Sequence, residues 1–347
     1  MVKAILTAVL FASTALAQSS SDAPSSIHRS KDVDSSLNLS QVTETEVVSS
    51  EAGSLEASPL LGNVVRSAPA QVPTIRKEVQ EVSLALTVTD HHHHFVRNLA
   101  PSDFTILDNG EPPERITYFE SQSELPLRLA IVIDTSDSVT YAFDDEKDSA
   151  TYFLQRILRR TSDMALVIGF NQEARIVQEL ASDHKLLSHA IRKLPSGGDT
   201  AIYDAVSAAT QQLAGFGDTE RVRRAVILMT DGEDNTSHIG LKEAEEDAQR
   251  NECAVYVMSI NLDGDRDREQ ADRAMMELSE VTGGSFLRAR DKDGVTNAFS
   301  DIDKELRNQY LLSYKPASVT PDGSFHQLFV SGHKEHRIHH RDGYFAR

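Results

Sequence analysis

The chain is short of cysteine, of positive charge and of long apolar runs, and each shortage removes a class of protein. One cysteine, Cys253, in 347 residues rules out an intrachain disulfide framework and any Cys-rich zinc module. Lys and Arg number 35 against 53 Asp and Glu, a formal net charge of −18, so the phosphate backbone of a nucleic acid is not the expected partner. No apolar run beyond the first residues is long enough to span a bilayer. The length allows one large or two modest domains plus unpacked chain.

The first residues read as an export signal. Lys3 gives a short positive region, residues 4–16 are apolar or small, and Ala15-Leu16-Ala17 fits the small-x-small cleavage pattern. A retained anchor is the competing reading, but the apolar stretch is short for a membrane-spanning helix. No cysteine stands at the cleavage position for a lipid anchor. Residues 1–17 are therefore expected to be a signal peptide, and the mature chain to be secreted, either periplasmic or extracellular. Residues 18–74 are rich in Ser, Ala, Glu, Asp and Pro and lack aromatics. Such a stretch buries too little surface to offset its backbone entropy and reads as a disordered linker.

Residues 75–124 read as a β segment. Val82, Leu84, Leu86 and Val88 alternate with polar or small residues, as in a half-buried strand. His91-His92-His93-His94 follows, and Phe95-Val96 can resume a strand. Imidazole is a common metal ligand, but consecutive side chains of extended chain point to opposite faces, so a polar turn is expected. Residues 103–110 form a strand running into Asn109-Gly110, with residues 116–119 as its returning strand.

Residues 125–308 change pattern. Continuous apolar runs at 129–133, 164–168, 225–229 and 254–258 alternate with amphipathic stretches near 143–158, 186–194, 202–213 and 241–249. Strands buried on both faces between helices specify an α/β fold, a doubly wound, mostly parallel sheet. Ligands of such sheets bind beyond the carboxyl ends of the strands. Asp134, Ser136 and Ser138 follow the first run as D-x-S-x-S, Asp231 follows the third, and a loop with Gly197-Gly198 carries Thr200. Two carboxylates with three hydroxyls suit a hard divalent cation: Mg²⁺, with Mn²⁺ or Ca²⁺ as alternatives. Few direct carboxylates leave the ion electrophilic toward an incoming ligand. Each element alone is ordinary turn and cap chemistry; the set in this order is what points to a metal.

These residues resemble the metal-ion-dependent adhesion site (MIDAS) of the von Willebrand factor type A domain, with Asp134, Ser136, Ser138, Thr200 and Asp231 in the five ligand positions. The resemblance implies a Rossmann-like sheet with helices on both sides and an Mg²⁺ ion that bridges to an acidic residue of a protein partner. Val82 to Asp90, the 95–99 and 103–110 segments, the 198–205 loop and the ending from Leu306 to Tyr344 are similar to the secreted bacterial relatives of this family common in Acidobacteria.

Residues 309–347 read as short strands at 310–314, 326–330 and 337–340, expected to pack with the β segment before the main domain. The first two are joined through Pro321-Asp322-Gly323. His326, His333, His336, His339 and His340 are read as exposed strand positions rather than ligands. Asp263, Asp265 and Asp267 resemble the start of an EF-hand loop without its glycine or closing Glu. Cys253 is expected to be an inert core residue.

Three functions compete. The first is a non-catalytic, cation-dependent protein-binding or adhesion module. The second is a metal-free envelope scaffold. The third is a metal-dependent phosphatase of the haloacid dehalogenase type, which needs a second carboxylate where Ser136 stands.

Overall fold

Alternation of period 2 with both strand faces apolar demands helices on each side of a sheet, and that is the central architecture. The computed structural model describes residues 81–121, 125–137, 143–217, 221–260, 269–318 and 320–347. The expected signal peptide and linker, Ser138 and the 263–267 acidic run lie outside them.

The main sheet has six strands: β4 (Leu127–Asp134), β5 (Met164–Phe170), β6 (Ala174–Ala181), β7 (Arg223–Thr230), β8 (Cys253–Ile260) and β9 (Phe286–Ala289). Their order is β6-β5-β4-β7-β8-β9, and all neighbours run parallel except the β5–β6 edge pair. The chain leaves β4 toward β5 and later returns to β4's other side as β7. That puts the reversal of strand order between β4 and β7, where doubly wound sheets open a crevice.

Alternate residues of β4 divide the core. Leu129, Ile131 and Ile133 pack in one cluster with residues of α1 (Phe143–Ile157), α2 (His184–Arg192) and α6 (Lys292–Arg307). Ala130 and Val132 pack in the other with residues of α3 (Ile202–Gly215), α4 (Leu241–Arg250) and α5 (Glu269–Thr282). Every residue of β4 is buried, as a central strand covered on both faces must be.

The segments before and after this α/β part form two antiparallel sheets around one core. One is ordered β12 (Arg337–His339), β1 (Val82–Thr89), β10 (Tyr310–Lys315), β3 (Arg115–Ser121). The other is ordered β13 (Gly343–Phe345), β11 (Phe325–Ser331), β2 (Thr105–Asp108). Strands from both flanks pair directly, Leu84 opposite Leu312 and Leu107 opposite Phe329.

One local expectation fails. Asn109 and Gly110 both have positive φ, 50° and 86°, and make the expected tight turn, but the returning strand does not pair with β2. Only the Asp108–Glu111 bridge closes it, and β3 crosses to pair with β10. Pro112 and Pro113 follow at once and have no N–H to extend a ladder. The segment with Pro321-Asp322-Gly323 does lie between β10 and β11, which belong to different sheets.

At His91–His94 the turn forms on Asp90, whose carboxylate accepts from the backbone N–H of His92 (2.8 Å) and His94 (2.9 Å). Phe95 resumes pairing only as an isolated bridge to Thr89. Of the C-terminal histidines, His326 corrects the expectation of exposure. It is 9% exposed and its Nδ1 lies 2.8 Å from Asp108 Oδ1. Asp108 Oδ2 also accepts from the hydroxyls of Tyr314 and Tyr344, both at 2.8 Å. Cys253 is buried, and burial pushes its thiol up to about 12, which keeps it protonated and unreactive.

Candidate metal centre

Four segments meet at the crevice between β4 and β7, and backbone and side-chain hydrogen bonds tie them together. After β4, Thr135 O accepts from Gly197 N (2.6 Å) and Asp137 N donates to Gly198 O (3.1 Å). The glycine loop is tied to the segment after β5 by Asn171 Nδ2 to Gly197 O (2.8 Å) and Ala201 N to Asn171 O (2.8 Å). It is tied to the segment after β7 by Asn235 N to Thr200 O (3.0 Å) and Thr200 N to Asn235 Oδ1 (3.0 Å). Gly197 and Gly198 have φ of 126° and 104°, and a Cβ at Gly198 would meet Gln172 Oε1 at 2.9 Å. Only glycine enters this region without strain, so the loop's approach to the crevice depends on it.

Helix α3 opens from this loop without a local cap, because Ala201 has no side-chain acceptor. Asp234 supplies one from across the crevice, its Oδ1 accepting from Ile202 N at 2.7 Å. In return Asp204, in the first turn of α3, accepts from His238 N (3.0 Å) and Ile239 N (3.2 Å). The Asp204 hydrogen bond to the His238 ring raises the imidazole's pKa. The exchange fixes the loop after β7 against the one bearing Thr200.

Of the five residues read from sequence, four are described and all four are buried at these loops: Asp134 at 0%, Ser136 at 1%, Thr200 at 3% and Asp231 at 2% exposure. Ser138 lies outside the described residues. Asp134 Oδ1 accepts from Ser136 N (2.9 Å), and its Oδ2 accepts from the Thr230 hydroxyl (2.7 Å). Burial pushes the Asp134 carboxyl up to about 6, against the opposing pull of these donors and with a further push from Asp231.

Sequence reading missed Glu146. It sits in the first turn of α1 at 1% exposure, and neither carboxylate oxygen has a hydrogen-bond partner. Burial, then repulsion from Asp134 and Asp231, pushes its carboxyl up to about 8 despite the attraction of Lys147. A signal was present. Glu146 precedes Ala150, Phe153, Leu154 and Ile157 at helical spacing and so belongs to the buried face of α1, although its acidic neighbours Asp144 and Asp145 make it look solvated. Asp234 and Asn171, which hold the loops, were also not legible as site residues.

Asp134, Asp231 and Glu146 are buried close enough for their charges to repel one another, and Ser136 and Thr200 are buried on the neighbouring loops. Among the described residues no three His, Cys, Asp or Glu side chains converge as a metal cluster. Residues 129–301 match the model of the von Willebrand factor type A domain. Those residues are a von Willebrand factor type A domain. The match takes in positions 134, 136, 138, 200 and 231, those of Asp134, Ser136, Ser138, Thr200 and Asp231.

Among curated proteins this chain, with its von Willebrand factor type A domain, is 28% identical over 200 residues to the bovine calcium-activated chloride channel regulator 1, covering 55% of the chain and 20% of that protein. The chain thus spans about a fifth of that relative's length. Among solved structures it is similar to a von Willebrand factor type A protein from Catenulispora acidiphila, at 13% identity and a TM-score of 0.46, covering 76% of this chain and 73% of that one. It is also similar to proximal thread matrix protein 1 of the mussel byssus, solved with a zinc-occupied MIDAS motif, at 16% identity and a TM-score of 0.47, covering 58% and 50%.

Proposed function

We propose that this chain is a secreted, non-catalytic binding or adhesion module that engages a protein partner through a divalent cation. The ion would be held by Asp134, Ser136, Ser138, Thr200 and Asp231, with Mg²⁺ the expected ion and Mn²⁺ or Ca²⁺ as alternatives. The observation that carries this reading is the burial of Asp134, Asp231 and Glu146 together at the strand-order reversal. Burying three like charges costs several kcal/mol unless they are protonated or share a cation.

When bound, the ion supplies an open coordination position for an acidic side chain of the partner. The chain's own groups do the rest. Ser136, Ser138 and Thr200 offer neutral oxygens, Thr230 and the Ser136 N–H hold Asp134 in place, and the glycine loop keeps bulk away from the crevice. The residue two beyond Asp134 is Ser136, which cannot act as the acid a phosphatase of the haloacid dehalogenase type requires. Export is supported by the pattern of residues 1–17, and among the described residues no helix is long and apolar enough to cross a membrane.

Titration calorimetry of Mg²⁺ into the chain and into Asp134→Ala tests the site. Saturable binding in the first and none in the second, with both folded, is expected; equal affinity in the two would sink the assignment. A pull-down from the envelope fraction with Mg²⁺ against EDTA tests the partner, which should be recovered only with the ion.

A further inference from the structure

Two groups of histidines far apart in the chain come together in the fold. The chain leaves β1 through His91-His92-His93-His94 and enters β12 through His333-Lys334-Glu335-His336. Strands β1 and β12 are antiparallel neighbours, and Thr89 opposite Arg337 is the outermost pair of their ladder. Asp90 and His336 are the next residues out on either side. Both histidine turns therefore stand at one end of the same strand pair, on strands about 4.8 Å apart.

Extended chain would send consecutive histidines to opposite faces, but residues 90–94 are not extended. Asp90 O accepts from His93 N (3.0 Å), Asp90 N donates to His94 O (2.9 Å), and His93 takes a φ of 63°. In this turn the ring centroids of His92 and His94 come to 6.0 Å. In the second turn His336 N donates to His333 O at 2.9 Å, and those two ring centroids stand 5.3 Å apart. Two imidazoles on one tetrahedral Zn²⁺, with Zn–N about 2.0–2.1 Å, place their centroids roughly 5 Å apart. Each turn thus holds one pair of rings near that spacing. Asp90 Oδ2 lies 3.4 Å from His94 Nδ1. A carboxylate on that side orients the ring and leaves Nε2 as the ligand atom.

We propose that these two turns form a binding site for a late transition-metal ion of the Zn²⁺ class, with His92 and His94 as one ligand pair and His333 and His336 as the other. Neutral imidazole suits zinc, nickel and copper, whereas hydroxyl and carboxylate groups such as those around Asp134 suit hard cations. As they stand, no three of these rings converge among the described residues. His92, His94 and His333 are exposed, so their rings turn about χ1 and χ2 without disturbing the core, and the ion draws the two pairs together. Asp90 and Glu335, one in each turn, offset its charge.

The test is calorimetric titration of Zn²⁺, in excess Mg²⁺, into the full chain purified without an affinity tag and into its Asp134→Ala variant. The expected result is saturable zinc binding that Mg²⁺ does not displace and that persists in Asp134→Ala. The double substitution His92→Ala with His94→Ala should weaken it by about tenfold or more, since even the outer partners of a metal ligand are worth that much. His333→Ala with His336→Ala should do the same. This second pair is decisive, because a run of four histidines binding zinc by itself would be indifferent to the other turn. Zinc affinity unchanged by His333→Ala with His336→Ala overturns the proposal. So does the absence of saturable zinc binding, or a signal lost in Asp134→Ala, which would put the ion in the crevice. The histidine substitutions alter surface turns, so they decide the matter even where Asp134→Ala does not fold.

Discussion

The Thr230 hydroxyl, at the end of β7, donates a 2.7 Å hydrogen bond to Asp134 Oδ2 at the end of β4. This bond joins the two strands on either side of the strand-order reversal and favours the ionised form of Asp134. Thr230→Val keeps the shape and removes the donor. In EDTA at pH 8 it should destabilise the fold by about 1.5–3 kcal/mol, the range for a hydrogen bond to a charged group. At pH 5, where Asp134 is largely protonated, the loss should be smaller. Urea denaturation at the two pH values checks this.

Glu146→Gln should behave in the opposite sense. The folded-state pKa of Glu146 is raised to about 8 from 4.5, so between those values the folded protein binds more protons than the unfolded one. Stability contributed by the neutral form is then lost as pH rises through 8. The variant escapes that loss. In EDTA it should match the wild type near pH 4 and exceed it increasingly up to pH 8–9, as read by thermal melts.

Divalent cation and protons compete for the same carboxylates, so Mg²⁺ should raise the melting temperature more at pH 8 than at pH 5.5. At a hundredfold excess over Kd the gain corresponds to about 2.7 kcal/mol. Asp134→Ala should abolish it at both pH values, and a cation-induced shift persisting in that variant would place the ion elsewhere.

Gly198→Ala forces a Cβ against Gln172 Oε1 at 2.9 Å, at a φ of 104°. The strain should cost about 1–3 kcal/mol. Because the same loop carries Thr200, Mg²⁺ affinity should fall with it, whereas a remote substitution of similar cost would leave the affinity intact. Calorimetry alongside denaturation separates the two effects.

Asp108→Ala removes the acceptor shared by Tyr314, Tyr344 and His326. Tyr314 loses this acceptor, and Tyr344 and His326 are left only their mutual 3.3 Å contact, so a loss of roughly 3 kcal/mol is expected in chemical denaturation. Mg²⁺ binding at pH 8 should be retained in whatever fraction stays folded, since these strands lie outside the cation site.

The α/β core was legible because its signals are local. Runs such as Leu129 to Ile133 are apolar at every position only when both faces of a strand are covered, and the intervening stretches carry helical spacing. The site was legible for the same reason, since Asp134 and Asp231 follow those runs directly. Glu146 was not, because its burial depends on what α1 packs against, and its acidic neighbours mask it.

What the sequence determined by itself was the period of each element and the residue types at the strand ends, and with them the α/β class and the pattern from which five cation-site residues are proposed. Tertiary structure alone decided the partners. It sent β3 past β2 to β10, turned His326 inward onto Asp108, and capped α3 with Asp234 from a distant loop. The physical reason is the same in each case. Hydrogen bonding and burial are satisfied by whichever group lies nearest in space, and for Pro112-Pro113, Asp108 and Ala201 that group is not a neighbour in the chain.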